Sequence, residues 1–424
     1  MSLGLHPSCK KRLREIIAEG LEGVKINNGN SIDLDSCQRF FELDRVLPES
    51  GPIRDQLYEY IGDFPTFRFI TAALGNEISA KLKYQTDAES IDLQSVDGYG
   101  NLEAVAHRLV ENFESLPHEY SLGISFVNDF GKLFSKRIQK CQISDSVKLF
   151  RHDEFEKEIP FQSDAELGPL AKLIHKHYKF YEEFDVVSVK VHGLITRWGT
   201  TTPIDQAMAV FKAFVGLGIV LRLFKIDSTR EWYPKELDPI FAIHRRIGNV
   251  WEFERDYRVD SSLDETYRHL VLDDLNGKLD RDDEKAKWIE GGLKLIQSAF
   301  SSKKDANKIL LASEWFLDSC GKTHGLLFPF VQTAIVLEIL LGEKTRSDLL
   351  SLGELLGNRC AYLIAKSHEE REHILESFRK FYTVRSKIVH EGKTRLIGAE
   401  KELFYELQDV CAKVIRKELE LLNS

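Results

Sequence analysis

The chain has 424 residues, enough for two or three domains, and its 43% hydrophobic and 29% charged residues are usual for a globular protein with a sizeable core. Its net charge of −9 excludes a uniformly basic surface for nucleic acid. A local basic site is still compatible with that charge, because a partner feels the local potential. Six scattered cysteines without a Cys-x-x-Cys pair favour neither a zinc knuckle nor a disulfide framework.

Residues 1–162 are predicted to form a mixed α+β domain of unknown role. Two segments have helical spacing, CKKRLREIIAEGLEG from Cys9 and NLEAVAHRLVENFESL from Asn101. The runs FRFITAAL and SLGISFV have strand character instead. The stretch VDGYGNLE carries two glycines but lacks the Lys-Ser/Thr of a phosphate loop, so it predicts a simple turn.

Residues 163–278 are predicted to form an α+β middle region. ELGPLAKLIHKHYKFYEEF indicates a helix, on which His175 and His177 lie two positions apart and therefore on different faces. That spacing makes a shared metal site unfavourable. DVVSVKVHGLI alternates as a strand, and PIDQAMAVFKAFVGLGIVLRLFKI begins with proline and predicts an apolar helix.

Residues 279–424 contain six helical segments joined by short connections, which is typical of an all-α bundle. One of them, GLLFPFVQTAIVLEILLG, approaches the length of a bilayer span. However, it carries Gln332 and Glu338, which are costly in lipid, and this predicts the central helix of a soluble bundle. We therefore expect a cytoplasmic protein without a membrane partner.

The segment FYTVRSKIVHEGK holds the candidate catalytic residues, Arg385 and His390. Five residues advance by about 500° on an ideal helix, so these two side chains would point about 140° apart. Gly392 is predicted to be the residue just after the helix end. If the last turn loosens before it, His390 can leave the helix and approach Arg385.

These residue types suit RNA cleavage without a metal. A helix C-terminus carries partial negative charge and favours protonated histidine, which can then exchange a proton near neutral pH. Arginine offers a planar charged fork for a phosphate. The reaction needs proton transfer at the 2′- and 5′-oxygens and stabilisation of the phosphorane. A candidate RNA-binding basic patch surrounds the pair: Arg379, Lys380, Lys387, Lys393 and Arg395.

The C-terminal region resembles the HEPN superfamily, and within it the ApeA-like HEPN domain of prokaryotic anti-phage proteins. RSKIVH carries the Arg-x-x-x-x-His signature, preceded by FYTV and followed by EG. AIVLEILLG resembles the Leu-Glu helix, with Glu338 as the glutamate, and LGNRCAYLIA resembles the Arg-x-Ala helix, with Arg359 as the arginine. Ser386 stands where relatives often carry Asn, Asp or His, and Glu391 displaces the usual glycine by one position.

The resemblance implies an α+β N-terminal region followed by an all-α HEPN helical-bundle domain that dimerises, so that two Arg/His pairs face each other. It also implies cofactor-free, metal-free RNA cleavage that leaves a 2′,3′-cyclic phosphate. His390 would be the acid/base group and Arg385 the phosphate binder. Supporting roles would fall to Ser386 and to Glu338 and Arg359, with a buried ion pair between adjacent helices as one arrangement for the last two.

We therefore expect a ribonuclease effector of anti-phage defence or of a toxin-like system. Single-stranded RNA or tRNA would be its substrate, and a homodimer through the HEPN domain its active form. The N-terminal region would respond to a phage-derived trigger or to a regulatory protein. The alternative is a non-catalytic RNA-binding or dimerisation HEPN module whose effector lies elsewhere.

Overall fold

The chain folds into two units, residues 1–120 with 191–206 and residues 121–190 with 207–424. The predicted domain boundaries after residues 162 and 278 fall outside the part of the chain that the structure describes, as does the predicted helix at 166–184 with its two histidines. The computed structural model describes residues 3–85, 89–125, 140–159, 185–196, 201–227, 240–259, 263, 266–267, 269–273, 282–300, 304–321, 325–342 and 352–423.

The first unit packs helices around an apolar core, beside a small antiparallel sheet. Both predicted helices are present, and the second is capped by Asn101, whose side chain accepts a hydrogen bond from the amide of Ala104 at 3.1 Å. The predicted turn lies just before it. The elements are α1 Pro7–Leu21, β1 Lys25–Asn27, β2 Ser31–Ile32, a 3₁₀ helix Leu34–Arg45, α2 Pro52–Ile61, α3 Pro65–Lys81, β3 Ile91–Asp92, a 3₁₀ helix Leu93–Ser95 and α4 Leu102–Glu114.

The strand prediction for FRFITAAL is wrong, because this run lies within α3. Pro65 occupies the start of that helix, where a missing amide proton costs nothing. The buried residues Ile70, Leu74 and Ile78 recur every four positions, which places them on one helix face. This period becomes visible only over the whole helix, since eight residues rich in aromatic and β-branched side chains also fit a strand.

Most residues of a six-stranded sheet lie in the second unit. The predicted strands are confirmed for the described parts of SLGISFV and DVVSVKVHGLI. An unpredicted antiparallel hairpin turns at Gly248, whose φ of 60° is unstrained for glycine. The strands are β4 His118–Ser125, β5 Lys140–Gln142, β6 Val147–Phe150, β7 Val186–Gly193, β9 Ile240–Ile247 and β10 Val250–Arg258, in the order β10-β9-β4-β7-β6-β5, with a short helix α5 at His152–Glu158.

The apolar helix predicted at PIDQAMAVF forms α6, Thr202–Val220. It ends before the predicted Ile226, because Arg222 has a positive φ of 61° and the chain then enters β8, Phe224–Ile226, which pairs with β11, Leu270–Leu272. Among the described helices, α6 alone is long and apolar enough to cross a membrane by length and composition, and 67% of that window is buried inside the protein. A helix buried in a protein core meets the same criteria of length and composition.

The C-terminal part of the second unit is helical, so an α+β part is followed by a mostly helical part, as predicted. Each of the six predicted helices is present within the described residues. The last helix packs against all five others and forms the centre of the bundle. The six are α7 Asp282–Ala299, α8 Lys304–Ser319, α9 Leu327–Leu341, α10 Leu352–Ile364, α11 His368–Glu391 and α12 Gly398–Asn423.

Aromatic rings hold α9, α11 and α12 together. Phe330 of α9 stacks on Phe381 of α11, with ring centroids 4.4 Å apart, and lies 6.1 Å from Phe404 of α12. All three rings are buried. The apolar segment that resembled a bilayer span is thus a core helix of this bundle, and it presents Glu338 toward α11.

Candidate functional site

Helix α11 carries the candidate catalytic residues and has a well-defined start. The Ser367 hydroxyl oxygen accepts a hydrogen bond from the Glu370 amide at 3.1 Å, and the Glu370 carboxylate accepts one from the Lys366 amide at 2.9 Å. This reciprocal arrangement closely resembles a capping box. The buried face of the helix includes Phe378 and Phe381, so the register of the helix is set by its apolar face.

The end of α11 corrects one expectation about His390. Gly392 has φ 69° and ψ 33°, the left-handed conformation predicted for the residue after the helix. Its amide and that of Lys393 both donate to the carbonyl oxygen of Lys387, the latter at 3.2 Å. The helix nevertheless continues to Glu391, so His390 stays on it. Glycine takes the sharp turn by itself, and no earlier unwinding is needed.

Arg385 and His390 line the same groove although both remain helical. The groove has a volume of about 570 Å³ and lies between α10 and α11. Leu352, Gly353 and Glu354 of α10 form one side of it. From α11 it receives the predicted residues Arg379, Arg385, Ser386, Lys387 and His390, together with Tyr382, Thr383 and Glu391. The structure thus brings the predicted arginine, serine and histidine to one concave surface.

Arg385 is fixed at the wall of this groove by Glu338 of α9. Its Nη2 lies 3.5 Å from Oε1 of Glu338, and the two side chains are 28% and 29% exposed. The Nε of Arg385 is buried and has no hydrogen-bond partner among the described residues. An unpaired buried donor is costly, and it is a feature that needs a physical explanation.

Tyr382 is a further site residue, which the resemblance included in FYTV but which was not among the predicted site residues. Its hydroxyl donates to the same oxygen, Oε1 of Glu338, at 3.4 Å. Burial raises the pKa of Tyr382 above its ordinary range, and the negative charge of Glu338 raises it further, so the hydroxyl keeps its proton. The sequence indicates that Tyr382 lies near the site, because it stands three residues before Arg385 and therefore on the same side of the helix.

Arg359 does not form the expected ion pair with Glu338. It donates from Nη1 to the carbonyl oxygen of Leu341 at 2.6 Å, at the end of α9. Within the described residues, the partners of Glu338 are Arg385 and Tyr382. The carboxylate therefore pairs with α11 rather than α10, and Arg359 instead satisfies a carbonyl that helix termination leaves open.

The residues of the predicted basic patch have different surroundings. Lys380 lies 2.7 Å from Glu376, and Lys393 lies 3.0 Å from Glu400. Arg379 and Lys387 face the groove, and Arg395 is exposed. Because Glu354 and Glu391 also line the groove, its positive charge is local and modest.

Two glycines of α10 let this helix approach α11 closely beneath the groove. A Cβ on Gly353 would lie 3.0 Å from Cγ of Tyr382, and one on Gly357 would lie 3.2 Å from Cβ of Phe378. Both distances are shorter than ordinary carbon contacts. The two helices are therefore in close contact at the point where Tyr382 reaches toward Glu338.

Within the described ranges, no group of three or more His, Cys, Asp or Glu side chains could hold a metal ion. Arginine, histidine and a paired carboxylate at one groove are instead suited to binding a phosphate and exchanging a proton. No known protein family, curated protein or solved structure matches this chain.

Proposed function

We propose that this protein is a metal-independent endoribonuclease of the HEPN type. The observation that carries the proposal is that Arg385 and His390 line one groove, with Arg385 held by Glu338. The guanidinium suits the scissile phosphate, and the exposed imidazole is accessible to the ribose and leaving-group oxygens. The sequence resemblance of RSKIVH and its flanking helices supports the same assignment.

In the proposed reaction, an imidazole takes the proton of the 2′-hydroxyl and the 2′-oxygen attacks the phosphorus. The 5′-oxygen leaves with a proton from an imidazolium, which gives a 2′,3′-cyclic phosphate and a free 5′-hydroxyl. Arg385 stabilises the charge that builds up on the phosphorane oxygens. These two proton transfers occur on opposite sides of the phosphorus, and His390 is the one histidine among the described groove residues. A homodimer, in which a second chain supplies the other histidine, meets this requirement.

The proposed biological role is that of a cytoplasmic effector in anti-phage defence or in a toxin-like system. Single-stranded RNA or tRNA would be the substrate, and the first unit and the sheet would respond to a phage-derived trigger or a regulatory protein. The support for this role is the resemblance to the ApeA-like HEPN domain together with an α+β part joined to the helical bundle.

One observation favours a second candidate, a non-catalytic RNA-binding or dimerisation module. His390 has no hydrogen-bond partner within the described residues of its own chain, so nothing there orients its imidazole. Catalytic histidines are usually oriented by a second group. In a nuclease dimer that group would come from the partner subunit, whereas in a binding module it would not be needed.

Cleavage of RNA in EDTA separates the two candidates. End-labelled RNA is incubated with wild-type protein, Arg385→Ala and His390→Ala, and the product ends are tested for a cyclic phosphate. We expect each change to lower the rate by about 10²–10⁴-fold, the usual contribution of acid–base or charge stabilisation.

Matched controls are His368→Ala and Arg371→Ala, because both residues are exposed on α11 far from its C-terminal end. They should cleave like the wild type. If no activating condition produces cleavage, or if Arg385→Ala and His390→Ala cleave as fast as the controls, the nuclease proposal fails and the binding module is favoured.

A further inference from the structure

Three side chains form a chain of contacts that ends at the groove: Tyr382, Glu338 and Arg385. Both contacts meet at one atom, Oε1 of Glu338, which accepts from the Tyr382 hydroxyl at 3.4 Å and faces Nη2 of Arg385 at 3.5 Å. Glu338 lies on α9 and the other two lie on α11, so the carboxylate links the helices.

Tyr382 is packed between aromatic rings and α10. Its ring meets Phe381 edge-on, with centroids 5.6 Å apart, and lies at 25° to the ring of Phe378 at 6.3 Å. On the α10 side, a Cβ on Gly353 would lie 3.0 Å from its Cγ, so α10 approaches the ring closely. A hydroxyl fixed in this way holds the more mobile Glu338 side chain, which has more rotatable bonds and is 29% exposed.

The contacts of Arg385 leave one guanidinium nitrogen for a ligand. Among the described residues, buried Nε has no hydrogen-bond partner, and Nη2 is turned to Glu338. Arg385 lines the groove all the same, so Nη1, which has no partner among the described residues, is the nitrogen available to a phosphate. A guanidinium that leaves Nε–H unpaired is in an unfavourable orientation, and the Glu338 contact offsets this cost.

We propose that Tyr382 is a positioning residue, which fixes Glu338 so that Glu338 directs Arg385 toward an RNA phosphate in the groove. This inference rests on the proposed function for its ligand, but the Tyr382–Glu338–Arg385 contacts exist without RNA. Tyr382 itself transfers no proton in the reaction. Its effect is transmitted entirely through Arg385.

The test is a double-mutant cycle on the full chain with an uncleavable oligonucleotide that carries a 2′-deoxyribose at every position. Tyr382→Phe removes the hydroxyl and retains the ring contacts. We expect it to raise the Kd by about 2- to 10-fold, the effect of one hydrogen bond, and to change nothing further in an Arg385→Ala background. Tyr362→Phe is the control, because this α10 tyrosine is 86% exposed, and its Kd should equal that of the wild type.

Side-chain NMR of ¹⁵N-arginine-labelled protein without RNA gives a second measurement. The Arg385 guanidinium should rotate slowly in the wild type and faster in Tyr382→Phe. A destabilised core alone would lower the Tm without this change. Unchanged Arg385 signals in Tyr382→Phe, or an equal loss of affinity with and without Arg385, overturn the inference.

The failure of this inference is distinguishable from failure of the nuclease proposal. If RNA is cleaved in an Arg385-dependent way but Tyr382→Phe matches the wild type in Kd and NMR signals, the positioning role is wrong and the nuclease stands. If no RNA is cleaved but Tyr382→Phe frees Arg385, the positioning role stands and the nuclease proposal fails.

Discussion

Arg385 of α11 and Glu338 of α9 meet at 3.5 Å beside a groove that His390 also lines. The two residues lie more than 40 positions apart in the sequence, and they meet because Phe330 stacks on Phe381 in the core between their helices. Core packing thus sets the position of a charged side chain at the surface.

Glu338→Gln should lower RNA cleavage more than it lowers stability. Both side chains of the ion pair are more than a quarter exposed, so we expect a loss of about 1 kcal/mol or less in unfolding free energy. The neutral amide directs Arg385 less firmly, and cleavage efficiency should fall by about 3- to 10-fold. Steady-state cleavage and thermal unfolding are measured on the same samples. The control is Glu376→Gln, which breaks the ion pair between Glu376 and Lys380, both of which lie on α11. Equal losses of activity in both variants would contradict this prediction.

Lys387→Ala should weaken RNA binding more than Lys380→Ala. Lys387 lines the groove, whereas Lys380 is held by Glu376 at 2.7 Å and is not a groove residue. Loss of one phosphate contact should reduce the slope of log K against log salt by about 1. Binding of an RNA oligonucleotide at several salt concentrations measures this slope. The prediction is wrong if the two lysines change it equally.

Gly357→Ala should destabilise the bundle. The new Cβ would lie 3.2 Å from Cβ of Phe378, an atom that moves only with the backbone of α11, and 3.3 Å from Cγ of the same side chain. We expect a loss of about 1–3 kcal/mol, seen as a lower urea midpoint and Tm. Gly291→Ala on α7 is the matched control, because its Cβ meets nothing within 4 Å. It should stabilise by up to about 1 kcal/mol, the helix-propensity difference between the two residues. Destabilisation of both variants alike would count against close helix packing as the cause.

His244→Phe should remove part of the acid sensitivity of the second unit. Burial lowers the pKa of His244 from 6.5 to about 4, between the rings of Phe155 and Phe253. Between these two pH values the unfolded chain binds the proton and the folded chain does not. His244 therefore leaves the free energy of unfolding at its full value above about pH 6.5. As the pH falls from there toward 4, protonation of the unfolded chain lowers that free energy by about 3 kcal/mol in all.

The measurement for His244 is the difference in unfolding free energy between pH 7.5 and pH 4.5. That difference should shrink in His244→Phe and stay unchanged in His368→Phe, since His368 is exposed. A wild-type difference that persists in His244→Phe would show that other groups cause the acid sensitivity.

Much of the bundle could be predicted, because each helix carries a long apolar period that does not depend on its neighbours. Apolar periodicity also predicts α1, α4 and the described parts of two strands. The strand prediction within α3 is wrong because a window of eight residues hid its four-residue period. The β9–β10 hairpin was not predicted, because charged residues in its strands mask the alternation. Short segments are ambiguous until a partner surface selects one conformation.

The sequence by itself determined that α11 is a helix, that it ends just before Gly392 and that Arg385 and His390 lie near its end. These properties come from local capping and periodicity. Only the tertiary structure decided that Glu338 pairs with Arg385 and Tyr382, while Arg359 bonds to the end of α9. The reason is physical: which charges meet depends on the rotation and separation of packed helices, and these are set by the fit of Phe330, Phe381 and two glycines.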